Sequence, residues 1–347
     1  MEQTRPFGVM PDGSPVECIA LSDGAYTCEI ITYGAALRSL MVPDRTGALR
    51  DIVLGFDRLE DYIAHDAHFG GTIGRFANRI ADGVFSLNGE SYHLPKNDGE
   101  NHLHGGPEGF DRRLWTVERL TTNAVTLLLC SPDGDMGYPG TMEARVTYTL
   151  QDGALSIRYD AVSDRDTLCS LTNHAYFNLN GHDSGDALRQ MLCLRATHYT
   201  LSDASLIPTG EVASVSCTPM DFTEPVPLGA RIYDAFEALT TAGGYDHNYV
   251  VDDAVCAEAW SDESGIAMTV TTDRPGVQLY TGNFLGGTPL GKDGAQYPKH
   301  GGFCLETQAF PDAPNHPTFP SAVLRAGERF ESTTIYRFGT VGKENAT

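Results

Sequence analysis

Five stretches set proton-transferring and hydrogen-bonding side chains at short spacing: GRFANRI (74–80), NDGENHLHGG (97–106), TNHAYFNLNG (172–181), GGYDHNY (243–249) and GGFCLETQAFPDAPN (301–315). The third has a period of two. Thr172, His174, Tyr176 and Asn178 fall on one side of an extended chain, and Leu171, Asn173, Ala175, Phe177 and Leu179 on the other. In the last, Glu306 and Gln308 alternate with Leu305 and Thr307. Glycines beside these groups let the backbone approach closely. Singly, each stretch reads as turn glycines, an exposed strand face or an ion pair. Together they assemble Arg, His, Asp, Gln and Glu, an inventory suited to a sugar, whose hydroxyls need donors and acceptors at many angles.

Other motifs carry less. GGTPLGKD (286–293) begins like a phosphate-binding loop, but Asp293 stands where Ser or Thr would hold magnesium, and its carboxylate would repel phosphate. A Gly/Pro-rich surface loop is expected there. Among eleven histidines the closest pairs are HDAH (65–68) and HLH (102–104). There is no HExxH and no Cys/His pairing, so His65, His68 and His102 are not expected to bind metal. Eight cysteines avoid CxxC spacing and mostly sit in apolar runs such as LLLC and MLCL, which reads as buried, reduced thiols. Cys304 is read the same way in preference to a nucleophile.

The elements that must position these groups are strands. Thirty-seven glycines and 19 prolines are spread along the chain, as many short strands joined by turns require. Asn88-Gly89 in VFSLNGESYHL and Asp152-Gly153 in VTYTLQDGALSIRYD predict two-residue hairpin turns. AVTLLLC (124–130), IAMTVTTD (266–273), GVQLYTGNF (276–284) and STTIYRF (332–338) read as further strands, and only 56–64 and 230–239 as short helices. No repeat or composition shift marks a boundary, so one large antiparallel β domain, a sandwich over residues 1–347, is expected.

Forty-six acidic against 24 basic residues, a net charge of −22, would repel phosphate backbones and anionic lipids, so no nucleic acid and no membrane partner is expected. MEQTRPFGVMPDGSPVECIA lacks an apolar core of signal-peptide length, and no run reaches membrane-spanning length. A cytoplasmic location is the expectation.

GRFANRI, LHGG, TNHAYFNLNG and GFCLETQAFPDAPNH together resemble the aldose 1-epimerases, or galactose mutarotases. The similarity runs from YGAALRSLMVPDRTGALRDIVLGFD (33–57) through YTGNFL (280–285) to the strand near Phe338. It implies an all-β super-sandwich acting on a free aldose, with Glu306 as base and His174 as acid. It further implies that Asn78, Arg79, His104, Asp246 and Gln278 bind the sugar. Two departures stand out: Phe76 where the family often has Val, which is expected to alter packing beneath Arg79, and Ala175 where it often has Ser.

Interconverting anomers takes a proton from the C1 hydroxyl and gives one to the ring oxygen, so that the ring opens to an aldehyde. Glutamate, with a reference pKa of ~4.3, is available as a carboxylate, and histidine, at ~6.5, as an acid if nearby carboxylates favour its charge. Neither a metal nor a redox cofactor is needed. A glycoside hydrolase using Asp246 with Glu306, a non-catalytic sugar-binding module, and an epimerase of phosphorylated hexoses are the alternatives. The last would need basic residues that this acidic chain does not obviously offer.

Overall fold

The computed structural model describes residues 3–342; the ends of the expected 1–347 domain, residues 1–2 and 343–347, lie outside the described residues. Period-two sequences have become strands with one buried face. In Met142–Gln151, Met142, Ala144, Val146, Tyr148 and Leu150 are buried while the residues between them are partly or fully exposed. Its partner Ala154–Ser163 follows the turn at Asp152-Gly153, whose φ values of 50° and 69° are the positive ones a tight hairpin needs. Asn88-Gly89 turns the chain likewise between Val84–Leu87 and Glu90–His93.

Three large antiparallel sheets result. The longest has nine strands, in the order Thr116–Leu120, Ala124–Ser131, Met142–Gln151, Ala154–Ser163, Arg329–Thr340, Ile266–Thr272, Val255–Trp260, Met191–Leu194 and Val226–Pro227. An N-terminal sheet runs in sequence order from Thr4–Val9 to Leu49–Asp51. The third is ordered Pro208–Ser214, His198–Ser202, Asp246–Val250, Gly276–Tyr280 and Cys304–Gln308. Ile19 and Leu21 of the N-terminal sheet, Val146 and Tyr148 of the longest, and Leu279 and Leu305 of the third belong to one contiguous buried core. Each such aliphatic side chain contributes about 1.5–3 kcal/mol by leaving water. The four β runs read from the sequence contain strands, though GVQLYTGNF is a strand only over Gly276–Tyr280, and the fold is the expected β super-sandwich. Among the described residues no helix is long and apolar enough to cross a membrane.

Several local expectations need correction. TNHAYFNLNG is a strand only at Thr172–Asn173; it continues irregularly, held by isolated bridges from Phe177 to Val53 and Phe303. Every residue from 171 to 182 is buried, so neither side is a solvated face. The first short helix spans Leu59–Ala64, but the second starts later than expected, at Glu237–Ala242. Residues 230–236 form successive tight turns because Arg231 is tied to the Asp221 carbonyl and lies over the Phe222 ring, while Ile232 enters the core. Six of the eight free cysteines are buried, but Cys130 of LLLC is exposed, since strand alternation turns Leu127 and Leu129 inward and Cys130 out. In the 286–293 loop Lys292 is buried, and its Nζ donates to Asp51 Oδ2 at 2.5 Å and to the Arg38 carbonyl at 3.0 Å.

Candidate active site

The third sheet sets the floor of a pocket of about 510 Å³. Its register places Asn248 opposite Gln278 and Gln278 opposite Glu306, with Asp246, Tyr280 and Cys304 aligned one pair along. All six therefore share one face, while Tyr249, Val277, Leu279 and Leu305 point into the core. Asp246, Tyr280 and Glu306 line the pocket.

Opposite this floor, the His174 backbone is clamped to the 70–71 glycines: its N–H donates to the Gly71 carbonyl and its carbonyl accepts from Gly70 N–H, each at 3.0 Å. The parity read from the sequence survives around this clamp, for His174 and Tyr176 line the pocket while Ala175 and Phe177 enter the core. Asn178, expected on the same side, instead bonds the carbonyls of Gly185 and Gly301 away from the pocket.

Asn78 and His104 hold each other in place. Asn78 N–H donates to His104 Nδ1 at 3.1 Å, and His104 N–H donates to the Asn78 carbonyl at 3.0 Å. A neutral His104 thus carries its proton on Nε2. Gly105 permits this crossing, because at φ 86° a Cβ there would fall 1.8 Å from the Gly74 carbonyl. Arg79 Nε donates to Asp98 Oδ2 at 2.7 Å, and its Nη1 stands 3.8 Å from Asp246 Oδ2.

The structure thus gathers Asn78, Arg79, His104, His174, Asp246 and Glu306 around one pocket. Gln278 is placed differently: it stands behind the wall, donating to Asp246 Oδ1 at 2.6 Å and accepting from Gln308 at 3.2 Å. Phe76 and Ala175, the two family departures, are buried in separate core clusters. Sequence reasoning gave no pocket role to Tyr280, Arg112 or Phe284, which also line it. Strand parity with Gln278 was a sufficient signal for Tyr280. Arg112 ends the short 3-10 helix Phe110–Arg112 and Phe284 lies in a turn, and neither offers a comparable pattern.

His174 Nε2 stands 3.6 Å from Glu306 Oε1, with both side chains almost wholly buried. His174 Nδ1 lies 3.6 Å from Cys304 Sγ, which leaves Nε2 as the nitrogen that can exchange a proton with Glu306. Burial, reinforced by the Asp246 carboxylate and opposed by Arg79, holds Glu306 well above the usual glutamate range. Burial, and next the neighbouring His68, lowers His174 to about 3, so the surroundings disfavour the charged acid expected from sequence. Burial, with His68 and His174 as next neighbours, likewise keeps His104 well below its usual value. The Cys304 thiol is pushed far up, chiefly by burial and next by Glu306, which disfavours the thiolate a nucleophile needs.

His104, His174 and Glu306 are the cluster among the described residues whose ligand atoms, within 4.8 Å of one another, come near enough to embrace an ion. His102 cannot join, since its Nδ1 meets the Pro95 carbonyl at 2.7 Å and its Nε2 the Tyr138 hydroxyl at 2.8 Å. Glu306 Oε2 is buried without a hydrogen-bond partner among the described residues. Oε1, the oxygen beside His174, is the one left open to the pocket.

Comparison with known proteins places this geometry in context. The family model described as aldose 1-epimerase matches residues 17–337. The chain is 45% identical to the galactose mutarotase of Homo sapiens, over 96% of this chain and 97% of that one. It is 37% identical to the aldose 1-epimerase of Escherichia coli K12, over 94% and 96%. Among solved structures, an aldose epimerase homologue from C. elegans superposes with a TM-score of 0.88 at 33% identity, covering 94% of this chain and 99% of that one.

Proposed function

The chain belongs to the aldose 1-epimerase family and is an isomerase that interconverts the anomers of free aldoses; on that premise we propose that Glu306 is its base and His174 its acid, acting on aldohexoses such as galactose and glucose. The observation that carries these roles is the 3.6 Å separation of His174 Nε2 from Glu306 Oε1. O1 and the ring oxygen of a pyranose are both bonded to C1, so the groups serving them have to be close neighbours.

Burial favours the uncharged form of both partners, with the proton on Glu306. Arg79 draws Glu306 towards the carboxylate, and a sugar hydroxyl donating to Oε1 acts in the same direction. The proton then resides on His174 Nε2. Glu306 takes the proton from O1 while His174 gives its own to the ring oxygen, the bond from C1 to that oxygen breaks, and O1 becomes the aldehyde oxygen. Rotation about C1–C2 presents the other face, and closure runs the two transfers in reverse. Arg79 and the Nε2–H of His104 are suited to bind hydroxyls and stabilise charge developing on oxygen, a contribution of several kcal/mol in a dry site. Asn78 and Asp246 complete the sugar contacts, and Gln278 serves through Asp246. No step calls for a metal or redox cofactor.

We assign residues 1–347 to one domain, a reading supported by the core shared among the three sheets, and a cytoplasmic location, supported by eight cysteines that are all free. Polarimetry of freshly dissolved α-galactose tests the function. Purified protein should hasten the approach to equilibrium rotation, and no acceleration with any of several aldoses would count against it.

A further inference from the structure

The pocket contains a second oriented pair that the acid–base chemistry leaves unused. His68 precedes Phe69-Gly70-Gly71, the loop that clamps His174, and its φ of 56° lies in the left-handed region. His68 Nδ1 is 2.7 Å from Oδ2 of Asp111, a residue 8% exposed. Three glycines clear the space this aspartate occupies. A Cβ on Gly34 would fall 2.3 Å from the Asp111 carbonyl, on Gly71 2.7 Å from its Cβ, and on Gly109 2.9 Å from its Oδ1. The carboxylate is therefore placed by the backbone around it.

A carboxylate only accepts, so Nδ1 of His68 donates, and the neutral ring has Nε2 left as an acceptor. The ring lines the same pocket, its centroid 5.0 Å from that of His104 and 5.6 Å from that of His174. Among the described residues Nε2 has no hydrogen-bond partner, and it is not shut off from the pocket. An aspartate that fixes one nitrogen of a histidine while the other faces a cavity is an arrangement for meeting a ligand at a set angle.

We propose that His68, oriented by Asp111, contacts the sugar: Nε2 accepts a hydrogen bond from a hydroxyl away from C1 and so sets the preference among aldoses that differ at that hydroxyl. Glu306 and His174 account for the groups at C1, whereas His68 lies on the wall beside them, where the rest of the ring must rest. This rests on the aldose 1-epimerase reading.

The test is a polarimetric series with wild type, His68→Phe, His68→Gln and Asp111→Asn, using galactose, glucose and the singly deoxygenated galactoses. His68→Phe should raise KM for the preferred aldose roughly 3- to 10-fold with kcat little changed, as loss of one binding hydrogen bond would. For the deoxy sugar that lacks the contacted hydroxyl, the two proteins should behave alike. His68→Gln, which keeps an acceptor, should recover part of the loss. Asp111→Asn alone should raise KM, and in a double variant with His68→Phe it should add nothing further, because its effect passes through His68. Unchanged KM for every sugar in His68→Phe, or one equal loss across all the deoxy sugars, would overturn the proposal while an active wild type left the epimerase reading intact. An inactive wild type would remove both.

Discussion

His174 Nε2 faces Glu306 Oε1 across 3.6 Å, and the second oxygen of the same carboxyl group is buried without a partner among the described residues. A pair so placed is better suited to moving protons than to bracing the fold. Glu306→Gln and His174→Asn keep the approximate shapes and remove the transferable protons. Each should cost about 10²- to 10⁴-fold in kcat, with thermal unfolding close to wild type. Near-normal kcat in either variant removes that residue from the mechanism.

The neighbours of Glu306 set the acid side of the pH profile. Because burial and Asp246 raise its pKa, the fall of kcat/KM on acidification should lie above the ordinary glutamate range near 4.5. Asp246→Asn removes a negative charge that disfavours a second one, so Glu306 ionises more readily and the acid limb moves to lower pH. Arg79→Gln removes a positive charge and moves it to higher pH. Both changes also weaken sugar binding, so the position of the limb is the quantity to read. A limb that stays fixed in both variants contradicts the electrostatic account.

A methyl group on O1 leaves Glu306 no proton to take. The protein should therefore hasten the rotation change of a free aldose and leave its methyl glycoside untouched. A hydrolase protonates the exocyclic oxygen and directs water to C1, so release of methanol would point to that chemistry instead. Asp246, the carboxylate such a mechanism would enlist, is already engaged by Gln278 at 2.6 Å.

Prolonged chelation should leave activity unchanged, because both nitrogens of His102 and Nδ1 of His68 have protein partners. Added zinc, in contrast, should inhibit competitively with the sugar by engaging His104, His174 and Glu306. Activity lost to a chelator and restored by zinc or manganese would show that an ion takes part.

The strands and both hairpins were legible from residue order because their causes are local. A period of two buries one face, and Asn-Gly and Asp-Gly accept the positive φ of their turns. The same parity put His174 beside Tyr176 and separated Glu306 from Leu305. Where long-range contacts overrode local preference, the reading failed: residues 230–236 are turned by Asp221 and Phe222, and TNHAYFNLNG is bent by bridges to Val53 and Phe303.

Residue order by itself determined the all-β architecture, the family motifs and the chemical types at the site. Tertiary structure alone decided which of them meet. Gln278 and Asp246 share a face through strand register, which puts one behind the other. His68 and Asp111 are 43 positions apart and become a pair only when glycine-lined backbone brings them together. The acid–base character of Glu306 and His174 is likewise a property of their burial: removing both from water raises one pKa and lowers the other, and no spacing of letters records how much water a fold excludes.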